Sequence, residues 1–312
     1  KMALHLCSAT RKSAAALGAR PSRPRLRQNA AVPLSKLVAT VEKGNGSFDY
    51  VIKVSGLAKG SPILLPVRGH AHLGLWIERG RLLDSVTLTD DTAILGIEVD
   101  LPPMRMPVPE TTIGVDLGYL KLLATSEGTF HGRKMKAVTD RVRRSRPGSK
   151  GKLRARRARI HYINRQVNEL PWDRISAIGV EDLAGIKQGK GTKGSLKSYK
   201  KFRKKMAPWV HRQATSRIEF KALVNRVHLA AVDPRGTSRT CPPCGKVAKE
   251  NRRGEVFCCV RCNYTADADI VGSLNILDRT RGQLVGAYGA CAFSASGCPP
   301  YGDGPGRDEG CG

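Results

Sequence analysis

The sequence predicts an α/β protein with an inserted zinc ribbon, preceded by a small β-rich, barrel-like N-terminal domain. Three observations predict it. Short apolar runs separated by Gly, Asp and Thr recur between Phe48 and Leu101. Two further runs, Ile113-Gly114-Val115 and Ile178-Gly179-Val180, each end in an acid. Cys241-Pro-Pro-Cys244 is followed, after fourteen residues, by Cys259-Val-Arg-Cys262. The 312 residues allow about two domains of ordinary size.

Residues 1–34 are basic and end in the Pro/Arg-rich piece Pro21-Ser22-Arg23-Pro24-Arg25, which reads as a flexible arm. No signal peptide is expected, since Met2–Leu17 is interrupted by His5, Arg11 and Lys12. Phe48–Val54, Ile63–Val67, Leu73–Ile77 and Ala93–Val99 read as strands of a small antiparallel sheet or barrel. Leu101–Pro109 holds four prolines and marks a boundary. Thr112–Asp116 and Ile175–Val180 read as buried strands. Between Arg133 and Arg165 fourteen Lys/Arg face one acid, Asp140, and a basic helix is expected from about Leu153 to Val167. Lys187–Lys205 is a second basic segment, Trp209–Leu229 has helical character, and the chain after Gly282 reads as a disordered tail. The expected divisions are 1–109 (basic arm and β-rich, nucleic-acid-binding domain), 110–235 (core with basic helical insertion), 236–264 (ribbon), 265–281 (last core segment) and 282–312 (tail).

Charge narrows the function. With 54 Lys+Arg against 26 Asp+Glu the formal charge is +28. A surplus this large repels itself unless neutralised, and nucleic acid is the usual polyanion. No run of about 18 apolar residues is present to span a membrane, and the basic stretches lack a lipid-facing apolar stripe. A hydrophobic content of 40% excludes a wholly disordered chain. Arg143, Arg144, Arg154, Arg157, Lys200, Lys201 and Arg203 are the expected phosphate contacts. Trp172, Tyr199, Phe202 and Trp209 lie in or beside basic segments and could stack on unpaired bases, although Trp209 and Phe220 at helical spacing favour inward packing. His161, His211 and His228 show no metal-ligand spacing.

Nine cysteines, an odd number with five of them within 22 residues, argue for metal binding in a reducing, intracellular setting rather than a disulfide scaffold. Cys241, Cys244, Cys259 and Cys262 can place four thiolates tetrahedrally about Zn²⁺, a closed and therefore structural site. Gly245 and Asn263 suit the tight turns after each knuckle, Phe257 would cover the site, and Cys258 is a spare. A redox CxxC is the alternative.

Asp116 and Glu181 end strand-like runs, and Asp269 follows the ribbon in Ala266-Asp267-Ala268-Asp269. Taken alone, an Asp after a buried strand is more often a helix cap or turn former. Three such acids in a chain this basic can instead meet around one or two Mg²⁺ ions, which need oxygen ligands.

These residues together resemble the RuvC-type nuclease of the transposon-encoded TnpB (OrfB) proteins and their descendants, the type V CRISPR effectors. Ile113–Gly118 with Ala124–Gly128 resembles the first motif and its second strand, and Ile178–Leu183 the second motif. Phe220-Lys221-Ala222, Val232-Asp233-Pro234 and Thr237-Ser238 follow the run-up to the ribbon. Asp267-Ala268-Asp269 with Asn275-Ile276 resembles the third motif, departing from it where Val271-Gly272-Ser273 stands for the usual Asn-Ala-Ala. The resemblance covers roughly residues 110–280. It implies an RNase H-like (RuvC) core, two Mg²⁺ ions on Asp116, Glu181 and Asp269 (Asp267 if the register slips by two), and Zn²⁺ on the four cysteines. It implies RNA-guided cleavage of DNA, with guide RNA and target DNA as partners, in a prokaryotic, nucleoid-associated, cytoplasmic protein that is a monomer or homodimer. The same residues leave two alternatives: a guide-RNA-dependent DNA-binding protein with weak or no cleavage, and a general basic RNA-binding protein.

Overall fold

A computed structural model describes residues 11, 12, 15, 16, 18, 31–56, 60–182 and 208–288, and for residues 208 and 209 the backbone alone. The chain divides into two units, Lys1–Leu101 and Pro102–Gly312. The division falls eight residues before the expected 109/110 boundary (109 − 101). The proline-rich strap belongs to the second unit because the Arg105 guanidinium donates to the carbonyls of Trp172, Asp173 and Ile175 at 2.9–3.1 Å.

In the first unit β1 (Val32–Leu34), β5 (Arg81–Leu88) and β6 (Ala93–Glu98) form one antiparallel sheet, and β2 (Ala39–Lys43), β3 (Tyr50–Val54) and β4 (Ile63–Val67) another. Ala39, Ile52 and Val86 are buried at its core. The expected strands at 50–54, 63–67 and 93–98 are present. The sheets are not joined into a closed barrel among the described residues. Leu73–Ile77 is not a strand but part of a helix, α1 (Ala71–Ile77). His70 caps it, Nδ1 accepting from the Leu73 amide at 3.0 Å, and Trp76 Nε1 donates to His72 Nε2 one turn back. A five-residue apolar run carries too little periodicity to separate strand from helix, and the cap decides.

The second unit is built on a five-stranded mixed sheet. Its strands are β7 (Thr112–Leu117), β8 (Leu123–Thr125), β9 (Phe130–His131), β10 (Ala177–Glu181) and β11 (His228–Val232), in the order β11-β10-β7-β8-β9. β7–β8 and β8–β9 are antiparallel, while β7–β10 and β10–β11 are parallel. The side-chain period of two along a strand splits β7 and β10 cleanly. Ile113, Val115, Leu117, Ile178 and Val180 face one side and join a core with Ile163 and Val167 of α3 (Lys150–Asn168) and Val210, Ala214 and Ile218 of α4 (Pro208–Asn225). Each such buried branched side chain contributes about 1.5–3 kcal/mol. α2 (Met135–Arg144) packs against α3.

Gly114 and Gly179 face the other side, paired in register, and α5 (Ala268–Tyr288) lies directly on them. A Cβ on Gly114 would meet the backbone of Ser273 and Leu277, and one on Gly179 the Thr280 side chain. The absence of two side chains is what lets the helix backbone reach the sheet. α5 runs to Tyr288, so the expected tail at 282 begins with helix, and residues 289–312 lie outside the described residues. Leu284, buried in that stretch, continues the helix's inner face between the glycines at 282 and 286.

Trp172, expected as a base-stacking surface, is buried at 4% exposure, and its indole N–H donates to the Val167 carbonyl. Phe220, expected to pack inward, is 39% exposed with the Arg217 guanidinium 5.1 Å from its ring centre. Tyr199 and Phe202 lie outside the described residues.

Candidate functional site

The register sets the first two acids side by side. Ile113, Gly114 and Val115 pair with Ile178, Gly179 and Val180, so the next residues on the two parallel strands, Asp116 and Glu181, stand together at their carboxyl ends. Both belong to the face that carries α5. Helix and first acid touch closely: a Cβ on Gly272 would stand 2.9 Å from Asp116 Oδ2. Asp269 enters from the first turn of α5.

Burial, reinforced by the charges of Glu181 and Asp269, pushes the Asp116 carboxyl up to about 7. Burial also raises Glu181, opposed by the Thr237 hydroxyl, which donates to Oε1 at 2.5 Å, and by Arg279 and Arg252. Carboxylates that repel one another in a dry place are a donor set for a hard divalent cation, which would relieve the repulsion. Oxygen donors of this kind suit Mg²⁺ by their chemistry, although the three acids do not bring one donor atom each within 4.8 Å of one another.

Asp267, the alternative third acid, has a different job. It ends β14 (Thr265–Asp267), and its Oδ1 accepts the Asp269 amide at 2.9 Å, a helix N-cap contact. Its Oδ2 accepts Lys121 Nζ at 2.7 Å. Burial opposes it, but the Lys121 ammonium and the Asp269 amide hold this carboxyl below the usual range.

Two cations that sequence reasoning missed stand at the third acid. Arg252 Nη2 lies 3.0 Å from Asp269 Oδ1, and Lys121 Nζ lies 3.9 Å from Asp269 Oδ2. Arg252 belongs to β12 (Arg252–Arg253), in the stretch between the two CxxC pairs. No spacing rule ties an arginine in that stretch to the acids; only the fold brings it there.

Four cysteines of the ribbon gather into one cluster of potential metal ligands. β12, β13 (Val256–Cys258) and β14 make a small antiparallel sheet. Cys241, Cys244, Cys259 and Cys262 are, among the described residues, the one group of three or more potential ligands whose donor atoms all lie within 4.8 Å of one another. Cys241 and Cys262 Sγ are 3.6 Å apart, and Cys244 and Cys259 Sγ 3.5 Å. Four sulfurs around Zn²⁺ stand ~3.8 Å apart, from a Zn–S bond of ~2.3 Å, so the set fits zinc. Gly245 and Asn263 take the left-handed backbone, at φ 68° and 56°, that closes each knuckle. The Arg261 amide points at Cys259 Sγ. Although burial opposes it, that amide and the Cys262 amide draw the Cys259 thiol down to about 6. Phe257 is fully buried against Cys241 and Cys259, and Cys258 is exposed outside the cluster. The Asn275 amide on α5 donates to the carbonyls of Thr237 and Thr240, tying the approach to the ribbon to the helix that bears Asp269.

Arg143, Arg144, Arg154 and Arg157 are exposed on α2 and α3, Arg143 pairing with Asp140 at 3.3 Å. Arg159 on the same helix turns inward and is buried. Lys200, Lys201 and Arg203 lie outside the described residues. No helix among the described residues is long and apolar enough to cross a membrane.

The mixed sheet, the helix across its acid-bearing strands and the inserted four-cysteine ribbon define an α/β protein with a ribbon insertion. Residues 211–276 match the family description "Cas12f1-like, TNB domain". A TnpB-like protein of Methanocaldococcus jannaschii is 29% identical over 109 residues, 35% of this chain and 36% of the relative. The CRISPR-associated endodeoxyribonuclease Cas12f1 of Sulfoacidibacillus thermotolerans is 33% identical over 69 residues, 22% of this chain and 16% of the relative. The chain thus matches little more than a third of the first of these relatives and a sixth of the second. A Cas12f1–guide RNA–target DNA complex solved by cryo-EM is similar with a TM-score of 0.49 at 18% identity, covering 85% of this chain and 67% of that one. Over part of its length the chain is thus similar to TnpB-like and Cas12f1 proteins.

Proposed function

We propose that the chain is an RNA-guided DNA endonuclease that hydrolyses phosphodiester bonds at Asp116, Glu181 and Asp269. The observation that carries this reading is the register that stands Asp116 beside Glu181 under the first turn of the helix bearing Asp269. The strand order β9-β8-β7-β10-β11, two antiparallel pairs followed by two parallel ones, supports an RNase H-like core.

Two Mg²⁺ ions bound by the three carboxylates would activate the attacking water and neutralise charge on the leaving 3′ oxygen. Asp116 must give up its proton to serve as a ligand, which the bound cation favours. Thr237 fixes the rotamer of Glu181. Arg252, beside Asp269, can fork onto a phosphate entering the site. Guanidinium groups on α2 and α3 hold the polyanion electrostatically. The four cysteines fold the ribbon around Zn²⁺ and take no part in the chemistry.

The test begins with the RNA that copurifies when the gene is expressed with its native flanking DNA. One abundant species with a fixed scaffold and a variable end supports guidance, and reconstitution with it and a matched duplex should give Mg²⁺-dependent cuts. A broad smear of host RNA on folded, zinc-loaded protein contradicts the reading. The occupation of Asp269 by Arg252 and Lys121 favours a second reading, guided binding without cleavage. It predicts protection of the target with no nick at any Mg²⁺ or Mn²⁺ concentration.

A further inference from the structure

Lys121 lies in the short turn between β7 and β8, five residues after Asp116. The turn is tight: the Gly118 amide donates to the Leu122 carbonyl at 3.1 Å, and a Cβ on Gly118 would sit 2.5 Å from the Lys121 carbonyl. Its ammonium is not left in water, the side chain being 16% exposed. It rests 4.1 Å from the ring centre of Phe130 on β9. From there it meets carboxylates from two other segments: Asp267 at 2.7 Å, and Asp269 and Glu255 each at 3.9 Å. Glu255 also belongs to the junction, since its carbonyl accepts the amide of Ala268, the first residue of α5.

Asp267 is therefore fixed from both sides. One oxygen caps α5 through the Asp269 amide, and the other is held by a lysine anchored to the strand of Asp116. We propose that Lys121 is a positioning residue: through Asp267 it sets the first turn of α5, and with it Asp269, against the strand that carries Asp116. The inference rests on the three acids being divalent-metal ligands. Outer partners of this kind typically matter roughly 10- to 100-fold in metal affinity. The sign of the effect separates positioning from simple charge. A lysine that merely competes with the metal for Asp269 would, once removed, let the metal bind more tightly.

The probe is Mn²⁺ alone, titrated into the zinc-loaded full chain, with free Mn²⁺ followed by electron paramagnetic resonance. Lys121→Met, which keeps the apolar stem over Phe130, should weaken Mn²⁺ binding roughly 10- to 100-fold with zinc content unchanged. Lys121→Arg should restore most of it. Asp267→Asn should weaken binding in the same direction, and Lys121→Met with Asp267→Asn should cost no more than the larger single change, because both break one link. Asp267→Asn also decides the matter if Lys121→Met does not fold. Unchanged or tighter binding in Lys121→Met, or additive costs in the double variant, overturns the positioning role. If Mn²⁺ binding survives Asp116→Ala together with Glu181→Gln, the reading of the acids falls and this inference with it. If that variant loses Mn²⁺ while Lys121→Met binds normally, this inference alone falls.

Discussion

Arg252 reaches from the ribbon to Asp269, its Nη2 3.0 Å from Oδ1, and its charge is felt at Asp116 and Glu181, both of which it draws down. One side chain thus links the hairpin of the four-cysteine ribbon to all three acids. Removing it leaves the acids harder to ionise. Arg252→Gln should move the midpoint of pH-dependent Mn²⁺ binding upward relative to the unmodified protein. A midpoint that stays put or falls would show that Arg252 does not act on the acids.

The Asp116 carboxyl carries a pH dependence of its own. It rises from the ordinary 3.8 to about 7 in the folded protein. Between these values the folded chain holds a proton that the unfolded chain has released. Stability from this group is therefore full below the unfolded value and is lost as pH climbs through the folded one. Without Mg²⁺ or Mn²⁺, the unfolding stability of the zinc-loaded protein should fall from pH 5 to 7.5, by an amount on the order of a few kcal/mol at most. Asp116→Asn should flatten that part of the profile, and Mg²⁺ should offset the loss above pH 7.

Gly114 and Gly179 are neighbours across β7 and β10, but what covers them differs. Gly179 faces the Thr280 side chain, while Gly114 faces backbone of Ser273 and Leu277. Gly179→Ala should destabilise by about 1–3 kcal/mol in urea unfolding, and Thr280→Ala in the same chain should recover part of it. Gly114→Ala should cost at least as much and gain nothing from trimming any side chain, because the helix backbone itself must move.

Zinc should govern the acid site at a distance. β14 passes into α5 with no intervening residue, Asp267 ending one and Ala268 starting the other. Ribbon folding and metal binding are one event in such modules. Stripping zinc with a chelator, or Cys241→Ser, should weaken Mn²⁺ binding at the acids although no cysteine lies among them. Circular dichroism should show the core helices retained. Unaltered Mn²⁺ binding in zinc-free protein would separate the two sites.

The sequence carried the site wherever neighbours in the chain are neighbours in the fold. The repeated Ile-Gly-Val followed by an acid is legible as two strands with like faces, and the register that pairs them follows from that likeness. The CxxC pairs, with Gly245 and Asn263 after them, are local chemistry of the same kind. Arg252 and Lys121 were not legible, because each owes its place to a hairpin or turn folding back on a distant segment. Leu73–Ile77 misled because a short apolar run fits either period, and a histidine cap is a faint signal. Trp172 misled because basic neighbours in sequence say nothing of the face a tryptophan turns to the core.

The most direct measurement is cleavage of a guide-matched DNA duplex in Mg²⁺ by the unmodified chain and by Asp116→Asn, Glu181→Gln and Asp269→Asn, each loaded with the same guide. The expected result is cutting by the first and loss of cutting in all three variants, with RNA and DNA binding nearly intact. Cutting by Asp116→Asn at the unmodified rate, or loss of nucleic-acid binding together with cutting, would contradict the assignment of these acids to catalysis.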